Sequence, residues 1–159
     1  IEERTLMRAR AESGESALAL NEIAIVRAGV SARILTIEAD VNGYPVARVS
    51  GDGIIASTVT GSTAYSLSAG GSIMTPDCAT FQLTPVCAFS MRSRPIAYSD
   101  RSELCFSLPQ GALVLYGDGV YLGEAGAADR LVGRKSARSV TFLTRGLGEY
   151  FRRLTQKIN

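Results

Sequence analysis

The chain contains no histidine at all. That absence excludes Ser-His-Asp and Cys-His nucleophilic catalysis, and zinc sites built on imidazole. Cysteine is scarce: Cys78, Cys87 and Cys105, an odd number with no C-x-x-C pair, so neither a disulfide framework nor a zinc site is signalled. Three buried thiols in a reducing compartment are the expectation. Charge of one sign is missing too. A net charge of +2 with acidic and basic residues interleaved argues against nucleic acid as a partner. No apolar run approaches the roughly 20 residues of a membrane span, and no signal peptide opens the sequence, so no membrane partner is expected either. The expected location is cytoplasmic, with an organelle address left open.

What is present is ordinary globular material. The 159 residues are 46% hydrophobic and 20% charged, which suits one domain with its own core. The chain begins at Ile1 rather than Met, so a piece of a longer protein is expected. Residues 1–16, closed by Gly14 and Ser16, read as a lead-in strand or a linker. Strand-like runs then follow at short spacing: 17–29, 32–40, 44–50, 54–58, 81–84, 103–108, 112–117, 120–123 and 139–144. Asn42-Gly43 and Asp118-Gly119 each separate two such runs, and both dipeptides accept the positive φ of a type I′ hairpin turn. Helical signal is confined to the C-terminus, where Leu147, Tyr150, Phe151, Leu154 and Ile158 form one apolar stripe. The expected fold is mainly β: an antiparallel, two-sheet sandwich with a short helix near residue 65 and a C-terminal helix.

Residues 51–72, GDGIIASTVTGSTAYSLSAGGS, do not fit a plain β domain. A short strand runs into Thr60-Gly61-Ser62-Thr63, and Ala64 to Ala69 can form a helix closed by Gly70-Gly71. Thr60 or Ser62 can cap that helix, and Gly61 lets the backbone turn tightly or a ligand approach. The outcome would be a hydroxyl-rich cradle for a polar ligand, or simply a capped structural turn. It is neither a Walker motif nor a Rossmann fingerprint. Asp52, on a Gly-flanked turn, is a turn residue or an acceptor for a ligand amide or hydroxyl. Asn21-Glu22 interrupts an apolar run, where polar residues need partners if buried; from the residues alone the pair reads more readily as water-facing.

The string Gly51-Asp52-Gly53-Ile54-Ile55-Ala56-Ser57-Thr58, followed by Thr60-Gly61-Ser62-Thr63-Ala64-Tyr65-Ser66-Leu67-Ser68-Ala69-Gly70-Gly71, resembles the signature of NAD kinases. The likeness extends to Ala19-Leu20-Asn21-Glu22, to Leu83-Thr84-Pro85-Val86-Cys87, to Ser93-Arg94-Pro95, to Glu2-Glu3-Arg4 and to the F-x-x-L of Phe151 to Leu154. It implies a transfer of the terminal phosphoryl group of ATP or polyphosphate, with Mg²⁺, to the adenosine-ribose 2′-hydroxyl of NAD, giving NADP. It also implies that residues 1–159 are one domain of two. The base would sit in an N-terminal α/β domain carrying a Gly-Gly-Asp-Gly motif that this sequence lacks, so no catalytic residue and no metal ligand is assigned here.

By the same resemblance, Asn21 of the Asn21-Glu22 pair meets the adenosine side of NAD. Thr63 and Ala64 meet the adenine edge, with Tyr65 and Ser68 beside it and Gly61 and Ser62 in the same turn. Asp52 and Thr60 face the nicotinamide ribose. Phe89 reaches the site of a neighbouring subunit, which implies a homo-oligomer, a dimer or a tetramer. Three positions depart from the pattern: Val59 stands for the proline of T-P-T-G, Ser72 for that of G-G-P, and Cys87-Ala88-Phe89-Ser90 for C-P-H-S. None removes a proposed ligand hydroxyl. A non-catalytic dinucleotide-binding or oligomerisation module, and the β domain of a related lipid kinase, are the alternatives. The joint presence of A-L-N-E and T-G-S-T-A-Y favours the NAD kinase.

Overall fold

In the computed structural model of the chain, residues 1–11, 16–29, 34–109, 111–127 and 129–158 are described. The Gly14 boundary and the start of the expected strand at Ala32-Arg33 lie outside them. Twelve strands occupy Glu2–Ala11 (β1), Ser16–Ala19 (β2), Glu22–Arg27 (β3), Leu35–Val41 (β4), Tyr44–Gly51 (β5), Gly53–Ser57 (β6), Thr80–Val86 (β7), Ile96–Ser99 (β8), Leu104–Ser107 (β9), Ala112–Gly117 (β10), Val120–Gly126 (β11) and Arg130–Phe142 (β12). Among the described residues they form two sheets of six. One runs β2-β1-β12-β9-β4-β5 and the other β11-β10-β3-β6-β7-β8. Every pairing is antiparallel.

Alternation along the strands explains the layering. Ile54 and Ala56 of β6, Ile23 and Ile25 of β3, and Phe81 and Leu83 of β7 point inward and meet Met7, Ile37, Leu104 and Leu113 in one core. The alternate residues face the far side of the second sheet, where Ala24, Ile55 and Val86 make a smaller cluster against Ala69 and Tyr116. The second sheet is therefore buried on both faces at its centre, the outer one joining this small apolar cluster to the buried polar side chains Gln82 and Thr84, so something must cover it.

Both expected hairpin turns form, with φ of 54° and 80° at Asn42-Gly43 and of 49° and 80° at Asp118-Gly119. Four readings need correction. The run 17–29 breaks at Leu20-Asn21 into β2 and β3, which belong to different sheets. Strand β8 was not expected, because four residues after Pro95 carry too little pattern. The last strand starts at Arg130 rather than 139 and stops at Phe142; pairing with β1 and β9 holds a charged stretch extended despite its weak apolar alternation. Finally, Cys105 is buried but Cys78 and Cys87 are exposed, since both lie in connections flanking β7.

A candidate dinucleotide site on the outer face of the second sheet

Strand β6 is buried along its whole length and delivers the chain to Thr58, which is equally buried. Thr58 joins two motifs that lie 38 residues apart. Its hydroxyl donates to the Leu20 carbonyl at 2.5 Å and accepts from the Gly61 N–H at 3.2 Å. Its own N–H donates to the Asn21 carbonyl at 2.8 Å. Gly61 lies so close to Asn21 that a Cβ there would sit 1.9 Å from the Asn21 carbonyl oxygen. Glycine is required at this point by the approach of two backbones.

The turn continues as a 3₁₀ segment, Thr60–Thr63, then a single helical turn, Tyr65–Ser68 (α1). The expected caps do not form. Val59 and Ala64 occupy the cap positions and neither makes a side-chain capping bond. The Ser62 hydroxyl instead donates to the Val59 carbonyl at 2.7 Å and accepts the Met74 N–H at 3.0 Å. It is fully buried. Gly70, at φ +87°, ends α1 as expected. Beneath α1, Ser66 meets Thr84 at 2.8 Å and accepts from the Gln82 amide at 2.9 Å, while the other end of that amide accepts the Ser72 N–H at 3.0 Å. Ser66, Gln82 and Thr84 are all buried, so this network fastens α1 to β7 and covers the outer face.

Asn21 and Glu22 stand opposite. Asn21 is half-buried, and Glu22 is buried rather than water-facing, because α1 lies over the end of β3. Its carboxylate accepts the backbone N–H of Tyr65. Burial pushes its pKa above the ordinary carboxylate value, and the charge of Asp118 pushes the same way; the Tyr65 bond offsets them in part. Its Oε2 is buried without a protein partner. Asp118, read from the sequence only as a hairpin residue, accepts the N–H groups of Leu20 at 2.7 Å, Asn21 at 2.7 Å and Glu22 at 3.1 Å.

Asn21, Glu22, Thr60, Gly61, Ser62, Thr63, Ala64, Tyr65 and Ser68 thus gather at one end of β6. Thr60, Thr63 and Ala64 are half-buried, and Tyr65 and Ser68 are exposed. Asp52 and Phe89 lie at the other end, roughly 20 Å away at the rise of an extended strand. Asp52 pairs with Arg27 at 3.2 Å, and the Phe89 N–H bonds the Ser50 carbonyl at 2.8 Å. The Phe89 side chain is 80% exposed.

The C-terminal helix, Leu147–Ile158 (α2), adds two contacts that the sequence did not signal. Tyr150 donates its hydroxyl to the Met74 carbonyl at 3.1 Å, and Lys157 donates to the Thr63 carbonyl. Among the described residues no group of three or more Cys, Asp or Glu side chains could hold a metal ion. None of their helices is long and apolar enough to cross a membrane.

Residues 20–144 match the family described as ATP-NAD kinase C-terminal domain. The chain is 37% identical to the NAD kinase 2 of Prochlorococcus marinus over 163 aligned positions, covering 99% of this chain and 54% of that protein. It is also 37% identical to the NAD kinase of Neisseria gonorrhoeae, covering 99% and 55%. Among solved structures it superimposes on yeast NADH kinase complexed with NADH at a TM-score of 0.90 and 26% identity, covering 96% of this chain and 47% of that one. On an NAD kinase from Archaeoglobus fulgidus in complex with ATP the TM-score is 0.81 at 27% identity, covering 98% and 60%. The chain spans about half the length of the curated relatives it matches. The cradle built on Asn21-Glu22 and Thr60–Tyr65, the two-sheet fold that carries it and these likenesses agree: the chain belongs to the NAD kinase family, as its C-terminal domain.

Proposed function

We propose that this domain binds NAD for phosphorylation of its adenosine-ribose 2′-hydroxyl, with ATP or polyphosphate as donor. The observation that carries the reading is the unpartnered Oε2 of Glu22, buried beside the T-G-S-T-A-Y turn. A buried acceptor without a donor is costly, and a ribose hydroxyl or an amide N–H satisfies it. Asn21 and Tyr65 flank this acceptor. Thr63 and Ala64 offer a half-buried polar edge to the adenine, with Ser68 beside it, while Gly61 and Ser62 act by shaping the turn. Asp52 is the acceptor for the nicotinamide-ribose side.

Phosphoryl transfer needs the acceptor hydroxyl positioned and negative charge neutralised on the phosphates, commonly by Mg²⁺. The domain supplies the positioning. Among its described residues no cluster of Cys, Asp or Glu side chains could hold that ion. The base and the donor site belong to an N-terminal domain with a Gly-Gly-Asp-Gly motif. Exposed apolar side chains at Ile1, Leu143, Leu147 and Phe151 support a further packing partner near both ends of the chain. Phe89 and Met91, 80% and 86% exposed, support contact with a second copy.

The test is NADP formation by the full-length protein and by residues 1–159 alone. The full-length protein should make NADP from NAD, and the domain alone should make none. NADP production by the domain alone would overturn the division of labour. In the full-length protein, Tyr65→Ala or Thr63→Ala should raise the KM for NAD; an unchanged KM would remove this turn from the site.

A further inference from the structure

We propose that Asp118 is a positioning residue: its carboxylate clamps the backbone of Leu20-Asn21-Glu22 in the shape that presents Asn21 and Glu22 to the dinucleotide. The inference rests on the reading of this cradle as the NAD site.

The local conformation alone does not call for an aspartate. Asp118 and Gly119 are the central residues of a type I′ turn, with φ of 49° and 80°. Asn or Gly satisfies such a turn at least as well. What only a carboxylate supplies is acceptors on both arms. One oxygen takes the Leu20 N–H at 2.7 Å, and the other takes Asn21 at 2.7 Å and Glu22 at 3.1 Å. An amide would turn its NH₂ toward one of these donors and lose that bond. The Asp118 N–H returns a bond to the Glu22 carbonyl at 3.0 Å, so the turn and the segment are joined in both directions.

Leu20 and Asn21 lie outside regular pairing, at the crossing from β2 in one sheet to β3 in the other, and Glu22 opens β3 opposite Ser57. Three consecutive N–H groups would otherwise lack partners. The same three residues carry the cradle: Leu20 and Asn21 receive Thr58, Gly61 stacks on the Asn21 carbonyl, and Glu22 receives the Tyr65 N–H. Asp118 holds the segment from one side while the T-G-S-T-A-Y turn is built on the other. A shift at residues 20–22 reaches Asn21, Glu22 and Tyr65 together.

The test uses full-length protein with Asp118→Asn and Asp118→Gly, both of which keep the I′ turn. The expected result is a rise in the KM for NAD of about tenfold or more, with the KM for the phosphoryl donor within about twofold of the parent. Amide hydrogen exchange at Leu20, Asn21 and Glu22 should quicken, while that of Ile37 and Leu104 in the core stays unchanged. An unchanged KM for NAD, or equal loss of both substrates, would overturn the proposal. If neither variant folds, exchange in Asp118→Glu, which keeps both oxygens on a longer arm, decides. Selective loss of protection at residues 20–22 supports the clamp, and uniform loss overturns it. If the parent protein makes no NADP, it is the functional reading that fails; the exchange data still judge the clamp.

Discussion

The two ends of strand β6 carry residues of the same contiguous motif and are built in opposite ways. At the Thr58 end, side chains and backbone are closed on themselves: Thr58 ties Leu20 and Asn21 to Gly61, and Ser66, Gln82 and Thr84 bind α1 to the sheet. At the Asp52 end the backbone is held by the Asp52 N–H on the Val86 carbonyl and the Arg27 N–H on the Asp52 carbonyl, both at 3.0 Å, but the side chains face outward: Asp52 meets Arg27 in an exposed ion pair and the Phe89 ring stands in solvent. The first end is pre-organised, so a ligand bound there meets a surface whose ordering cost is already met by folding. The second end presents side chains that have few partners of their own. In sequence the two ends are six residues apart; in space an extended, wholly buried strand separates them.

The sharpest way to break this contrast is Gly61→Ala. The added methyl meets the Asn21 backbone at 1.9 Å, and backbone on both sides cannot yield cheaply. Overpacking of this kind should cost about 3 kcal/mol and lower the Tm by roughly 6–12 °C. Thermal denaturation reads it, and a Tm within about 2 °C of the parent would show that the two motifs are not locked together. Gln82→Leu should come next. It leaves Ser66, Thr84 and the Ser72 N–H short of partners beneath α1, at a cost of about 1–3 kcal/mol.

Glu22→Gln sharpens the comparison through pH. Burial raises the Glu22 pKa, so the folded state holds this proton more tightly than the unfolded chain does. Its contribution to stability is full below the ordinary carboxylate value and is lost as pH rises through the raised one. The Tm of Glu22→Gln relative to the parent should therefore be higher at about pH 8 than at about pH 4. Glu149, whose pKa is lowered by Arg152 and Arg153, works the other way, but it is present in both proteins and cancels from the difference. The smallest effect belongs to the open end. Phe89→Ala should change stability by less than about 0.5 kcal/mol. The same substitution in the full-length protein should weaken self-association, read by sedimentation.

Much of the fold was legible because period-2 alternation and two turn dipeptides are local signals. Asn42-Gly43 and Asp118-Gly119 announce their hairpins through a backbone preference that needs no partner. The break at Leu20-Asn21 was not legible, because only the tertiary switch between sheets reveals it. Within the proposed site, most residues named by the resemblance gather around one turn, and the structure adds contacts that spacing did not announce. Ser62 reads as a cap or ligand hydroxyl and is in fact an internal tie to Met74. Gly61 reads as a tight turn or as room for a ligand, and its missing side chain leaves room for the Asn21 backbone. Glu22 reads as a surface residue because nothing near it in sequence predicts that α1 will cover it. Asp118 was hidden by its own turn: a residue explained by local conformation invites no further question, yet its carboxylate serves residues 96 to 98 positions away.

The most direct measurement is a crystal structure of the full-length protein with NAD bound. The expected result is the adenosine half of NAD lying against Asn21, Glu22 and the Thr63–Tyr65 turn, with a ligand donor on Glu22 Oε2 and the cradle unmoved. NAD bound elsewhere, with Glu22 Oε2 still unpartnered, would contradict the assignment of the pre-organised end as the dinucleotide site.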